Sequence, residues 1–236
     1  MKILAIEASS LVASVAILTD DVITAEYTMN HKITHSQTIM PMLDEIVSRS
    51  ETELSEVDAI AVSGGPGSFT GLRIGAATGK GLAQALNIPI IHVPTIDAMA
   101  YNAYGYCGLV CPIMDARRGQ VYTGVFRFLD KMDTVMENCA ISIEELMEFL
   151  NKKNQPVLFI GDGIPVFQNY ISEVAKFRVD FAPAHMNRQR AASVAALAGE
   201  YFHLGKTQTA AEHLPEYLRV SQAERERAEK LSGKQE

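Results

Sequence analysis

The chain has 236 residues, enough for one large domain or two small ones, and 47% of them are hydrophobic, as expected of a full core. Its net charge of −7 and pI near 5.4 argue against direct binding of phosphate backbones, which rests on lysine and arginine displacing counterions. No stretch approaches 18 consecutive apolar residues, so no membrane span is expected. Glu7 interrupts the short apolar start too early for a signal peptide. Cys107, Cys111 and Cys139 lack metal-site pairing and read as reduced, buried thiols of a cytoplasmic protein.

In chain order, residues 2–6, 12–18 and 22–27 read as strands, with Thr19, Asp20 and Asp21 turning between the last two. A helix follows over 36–50, with Ile39, Leu43 and Ile46 on one face. An apolar strand at 57–62 then meets a glycine-rich turn, Ser63-Gly64-Gly65-Pro66-Gly67. The helix over 71–86 has Thr70 as its expected N-cap, and Asn87 and Pro89 stop it. A strand at 90–93, a helix at 96–104 and a hinge near 105–108 close this half.

The second half repeats the order. Strands at 109–114, 121–128 and 134–138 precede a helix at 142–151, opened by Ser142 and Glu145 in capping-box spacing. A strand at 157–160, a helix at 165–176, a strand at 177–181 and a helix at 191–204 follow. The charged tail from Ala223 is expected to fray. Strand–strand–strand–helix–strand–helix therefore occurs twice, which predicts two α/β lobes, residues 1–105 and 106–236, each a mixed sheet flanked by helices.

The glycine turn matches neither phosphate template. Five residues after Gly65 stands Thr70, and five after Gly67 stands Leu72, so the Walker form fails; the dinucleotide form fails at Thr70 as well. Gly71, Gly75 and Gly79 recur on one helix face, and each interior glycine costs roughly 1 kcal/mol against alanine. Close approach of another backbone is the compensating gain. That neighbour is either the protein's own sheet or a helix of a second chain.

Each half's first strand ends in an acid followed by alanine, Glu7-Ala8 and Asp115-Ala116. With the twofold order, this resembles the actin/Hsp70/sugar-kinase (ASKHA, ribonuclease H-like) superfamily of two-lobed ATPases. The wording ILAIEAS, HSQTIMPMLDEI, GGPGSFTGLRIG, DARRGQVY and PEYLR is similar, across nearly the whole chain, to the TsaB (YeaZ) family. The resemblance implies a non-catalytic partner in synthesis of threonylcarbamoyladenosine beside the tRNA anticodon. It implies pairing with the catalytic paralogue TsaD, joining by the ATPase TsaE, and homodimers. It places tRNA contact within the complex only, and the contact surface on the first-lobe helices: Ile39, Leu43, Ile46, Gly71, Leu72, Arg73, Gly75, Gly79 and Leu82.

The catalytic relatives hold a metal with two histidines one helical turn apart; Thr95 and Met99 stand at those places here. His31 and His35 have that spacing but lie at a loop and a helix start, where His35 with Ser36 suits capping. The superfamily's phosphate turn is Asp-x-Gly-Ser/Thr, and here it reads Glu7-Ala8-Ser9-Ser10, so no intrinsic cofactor and no metal are expected. ATP or ADP with Mg2+ belongs to the multi-subunit complex. The competing reading is a divergent ATPase whose nucleotide cleft uses Glu7, Ser9, Asp115 and Arg117, the two acids facing each other across the cleft. Arg117 and Arg118 are candidates to pair with Glu7. A peptidase ranks last, since Ser68 lacks the G-x-S-x-G frame and no nucleophile–base pair is apparent.

Overall fold

The computed structural model describes residues 1–218. The first half runs β1 (Lys2–Glu7), β2 (Val12–Thr19), β3 (Val22–Asn30), α1 (His35–Arg49), β4 (Ala59–Gly65), α2 (Phe69–Leu86), β5 (Ile90–Pro94) and α3 (Thr95–Tyr101). The second half is the same series: β6 (Leu109–Arg117), β7 (Gln120–Phe128), β8 (Met132–Ser142), α4 (Ile143–Lys153), β9 (Val157–Ile160), α5 (Ile164–Val174), β10 (Val179–Phe181) and α6 (Ala191–His203). The sheets have matching orders, β3-β2-β1-β4-β5 and β8-β7-β6-β9-β10. In each, the first two pairings are antiparallel and the last two parallel.

Both faces of each sheet are covered, which is why the central strands read as unbroken apolar runs. Alternate residues divide between the faces. Leu4, Ile6, Val15, Ile17, Ile60 and Val62 pack under α1 and α2. Ile3, Ala5, Ala16, Ala59 and Ala61 pack under α6, whose Ala191, Ala195 and Ala198 match them in size and let the helix sit close. In the second sheet, Cys111, Ile113, Val121 and Phe159 face α4 and α5, while Val110, Met114, Phe126 and Ile160 face α3.

The last helix of each half thus covers the other half's sheet. The expected division into 1–105 and 106–236 separates the two sheets but not the two lobes. Helix α6 belongs to the first core, and Gln208 beyond it forms an antiparallel bridge with Ile90 on the edge strand β5. Arg190, at the entry to α6, forms an ion pair with Glu26 of β3, and the same carboxylate accepts from the Ala192 amide.

The helix ends follow local chemistry. Ser142 and Glu145 form the expected capping box, and Asn87 ends α2 in the left-handed conformation. The α2 N-cap is Ser68 rather than Thr70: its hydroxyl accepts from the Gly71 amide, so the helix begins two residues earlier than expected. The three cysteines are free, as expected, but Cys107 is exposed and Cys139 half-buried; only Cys111 is buried, its thiol pushed up to about 12 by desolvation. The tail from Ala223 lies outside the described residues.

Candidate functional site

The turn after β1 is where the superfamily meets phosphate. Here the Ala8 amide and the Ser9 amide and hydroxyl are engaged within the chain. Glu7 is fully buried, and its Oε1 accepts from both the amide (2.6 Å) and the hydroxyl (2.5 Å) of Ser9. The Ala8 amide donates to the Ser63 hydroxyl at 3.3 Å, and the Ser9 carbonyl accepts from the Ser68 amide at 2.6 Å. His35 is buried against the same turn, its Nε2–H donating to the Ser10 carbonyl at 2.7 Å. This replaces the expected capping role of His35, and His31, out on the surface, does not join it. Burial pushes the Glu7 carboxyl up to about 7 against the pull of the Ser9 bonds, with Asp162 adding to the rise.

The glycine turn packs onto this arrangement. A methyl at Gly67 would lie 2.2 Å from the Ser9 carbonyl oxygen, so only glycine lets the two turns touch. On its other side the turn receives the chain's late segment. The Glu216 amide donates to the Gly64 carbonyl at 2.7 Å, and a Cβ on Gly65, whose φ is +116°, would meet the Glu216 carbonyl at 2.2 Å. Tyr217 packs on Phe69 with ring centroids 4.8 Å apart, and Arg73 lies over the Phe69 ring while donating to the Tyr217 hydroxyl. The PEYLR segment is therefore a structural clamp on the glycine turn as far as it is described; Arg219 lies outside the described residues.

Between the lobes lies a cleft of about 820 Å³ lined by Ser9, Ser10, Gly67, Ser68, Asp115, Arg117, Asp162, Arg188 and Gln189. The structure brings Ser9, Asp115 and Arg117 together on this cleft. Glu7 sits behind the wall, and the carboxylate whose field reaches it is that of Asp162. Arg117 pairs with Asp115 at 3.1 Å, and its backbone amide donates to the same carboxylate, so it does not pair with Glu7. Arg117 and Arg118 both have positive φ, which makes this a tight turn. Asp162, Arg188 and Gln189 were not singled out by sequence. Asp162 lay within a recognised Gly-Asp-Gly turn, whereas Arg188 and Gln189 lie in a loop with no pattern to mark them. Burial raises the Asp162 carboxyl above its ordinary value.

No group of three or more histidine, cysteine or acidic side chains suited to a metal ion occurs among the described residues. Thr95 and Met99 are buried at 0% and 1% exposure, with Met99 packed between α3 and the Gly161 turn. The residues expected at a partner interface also turn inward. Ile39, Leu43 and Ile46 belong to the core beneath α1. Leu72 is 1% exposed. Gly71 faces the Ala8 carbonyl, Gly75 the Ala8 methyl, and Gly79 the Val62 side chain, so the glycine row serves helix–sheet contact. Only Arg73 is exposed, and Leu82 is half-buried; the outward faces carry Met40 on α1 and Ala77, Gly81 and Gln84 on α2.

Comparison with known proteins agrees with this geometry. The family model for TsaD: tRNA N6-adenosine threonylcarbamoyltransferase matches residues 23–227. The tRNA threonylcarbamoyladenosine biosynthesis protein TsaB of Bacillus subtilis (strain 168) is 34% identical over 228 residues, 95% of this chain and 96% of that protein. That of Escherichia coli (strain K12) is 40% identical over 124 residues, 52% of this chain and 53% of that protein. The structure of YeaZ from Pseudomonas aeruginosa superposes with a TM-score of 0.79 at 27% identity, covering 92% of this chain and 99% of that one. An inorganic polyphosphate/ATP-glucomannokinase from Arthrobacter sp. strain KM shares the fold alone, at TM-score 0.50 and 11% identity over 86% of this chain and 99% of that one. The fold is the two-lobed, actin-like ASKHA fold, and over nearly its whole length the chain belongs to the TsaB (YeaZ) family.

Proposed function

We propose that this chain is a non-catalytic scaffold subunit in the synthesis of threonylcarbamoyladenosine on tRNA. In this reading it pairs with TsaD, helps recruit TsaE, forms homodimers, and meets tRNA only through the complex. The observation that carries the reading is the engagement of the phosphate turn: the Ala8 amide is bonded to Ser63, and the Ser9 amide and hydroxyl are bonded to Glu7. Phosphate binding at a glycine turn needs free backbone amides aimed at the ligand. Here those donors close on the Ser63 hydroxyl and the Glu7 carboxylate of the same chain, and an anion placed among them would meet Glu7 and Asp162. The residues at the metal-histidine places, Thr95 and Met99, support the same reading, because both are packed in the core.

The partner surface belongs on the outward faces of α1 and α2, around Met40, Arg73, Ala77 and Gly81. Met40 is 52% exposed, an apolar side chain on a helix whose inner face is already filled. One observation favours the divergent-ATPase reading: the open cleft bearing Asp115, Asp162 and Arg188. ATP or ADP with Mg2+ would then lie against the second lobe. The test is a reconstituted tRNA modification reaction from which this chain alone is omitted. The scaffold reading expects product formation to stop on omission and to return on adding the chain back. Unchanged product without it would overturn the reading.

A further inference from the structure

The segment after α6 crosses the first lobe from residue 206 to 218 and is held at four places. Gln208 exchanges two backbone hydrogen bonds, each 2.8 Å, with Ile90 on the exposed edge of β5. Lys80 of α2 donates to the His213 carbonyl at 2.9 Å. The Glu216 amide bonds Gly64, and Tyr217 packs on Phe69. Beneath these ties lies His213, with no exposed surface. Its Nδ1–H donates to Gln208 Oε1 at 3.3 Å, and its Nε2 is buried with no hydrogen-bond partner among the described residues. The His92 ring stands 5.5 Å away and is itself pressed against the Gly64 backbone.

We propose that residues 206–218 form a strap, held shut by an uncharged His213, that acid releases from the glycine turn and from the β5 edge. A second proton on His213 would land on Nε2, where no acceptor receives it. Helix α2 presents the Lys80 ammonium, which repels an imidazolium. Strand β5 presents His92. The strap itself presents Glu212, which is bonded to Thr209, and Glu216, whose carboxylate lies 4.0 Å from His92 rather than at His213. Among the described residues, no carboxylate therefore stands ready to compensate a charge at His213.

Burial, followed by the fields of His92 and Lys80, pushes the His213 imidazole down to about 4, and burial also lowers His92. The open strap exposes an imidazole of ordinary value near 6.5, which binds a proton as pH falls through that point; the closed strap does not. Closure is therefore at full strength above pH 6.5 and weakens by up to tenfold per pH unit on the way to 4. Release would unpair the β5 edge and free Phe69 and Arg73 from Tyr217.

Hydrogen exchange followed by mass spectrometry on the full chain, corrected for the intrinsic pH dependence of exchange, tests it. Between pH 7.5 and 5.0, protection across 206–218 should fall roughly 30-fold, while β1 and β4 keep theirs. His213→Asn keeps an amide donor for Gln208 but cannot be charged, so its fall between pH 7.5 and 5.0 should be much smaller than the parent's, whatever its absolute level. Lys80→Met removes the repelling cation and should shrink the fall. Protection that does not change with pH, a loss shared equally by β1 and β4, or a fall of the same size in both variants would overturn the strap.

Discussion

At the residue scale, the departure from the superfamily pattern is Glu7-Ala8-Ser9 in place of an acid, any residue and glycine. The longer carboxylate reaches round its own turn to Ser9, and Ala8 lies where Gly71 and Gly75 press against it. The substitution was legible from the residues; its consequence was not, because a turn's spacing does not say which amides it leaves free. A measurable effect follows from the Glu7 carboxyl, which burial lifts from 4.5 to about 7. Its folded value lies above its unfolded value, so the unfolded chain loses the proton first as pH rises. The folded state is thus penalised progressively between pH 4.5 and 7, to about 3 kcal/mol in total. Glu7→Gln removes that penalty and still offers Ser9 an acceptor. Urea denaturation should show the variant gaining stability relative to the parent as pH goes from 5 to 8. A difference that stays constant with pH would contradict the buried-acid account.

At the element scale, the glycine row of α2 had two possible neighbours from its sequence, since small residues serve a sheet or a partner helix equally well. The structure assigns it to the sheet, with a Cβ at Gly79 only 2.5 Å from the Val62 methyl. Gly79→Leu should therefore force α2 off β4 and cost about 2 kcal/mol or more of folding stability, read by chemical denaturation. Ala77→Glu, on the opposite face, should leave the denaturation midpoint unchanged and weaken association in analytical ultracentrifugation. If Gly79→Leu folded with parental stability, the inward assignment would fail. The cap at Ser142 was readable from its spacing alone, because the capping box joins residues three apart. Ser142→Ala should lower stability by about 1 kcal/mol, again by denaturation. The Ser68 cap was missed for a comparable local reason: Thr70 is also a good capping type, and the choice depends on how the glycine turn packs against Ser9.

At the scale of the whole molecule, the duplicated order of strands and helices was visible because the short apolar runs of β1, β2, β6 and β7, bounded by turn residues, and the helical periods are local signals. The exchange of α3 and α6 between sheets was not visible. Both helices are apolar, and nothing in either sequence says which sheet it will cover; the size match between the α6 alanines and Ala5, Ala16, Ala59 and Ala61 decides it in three dimensions. The exchange means that the lobes share their ends and cannot be cut apart at residue 105. It also builds the cleft, with a wall from each half: Ser9 and Ser68 from the first, Asp115 and Asp162 from the second. Whether that cleft works as an ATPase site or as the relic of one is the question on which the scaffold reading rests. Calorimetric titration of ATP with Mg2+ into the purified chain, with turnover followed in the same sample, answers it most directly. We expect neither tight binding nor phosphate release. Tight binding with turnover that disappears in Glu7→Gln would contradict the account.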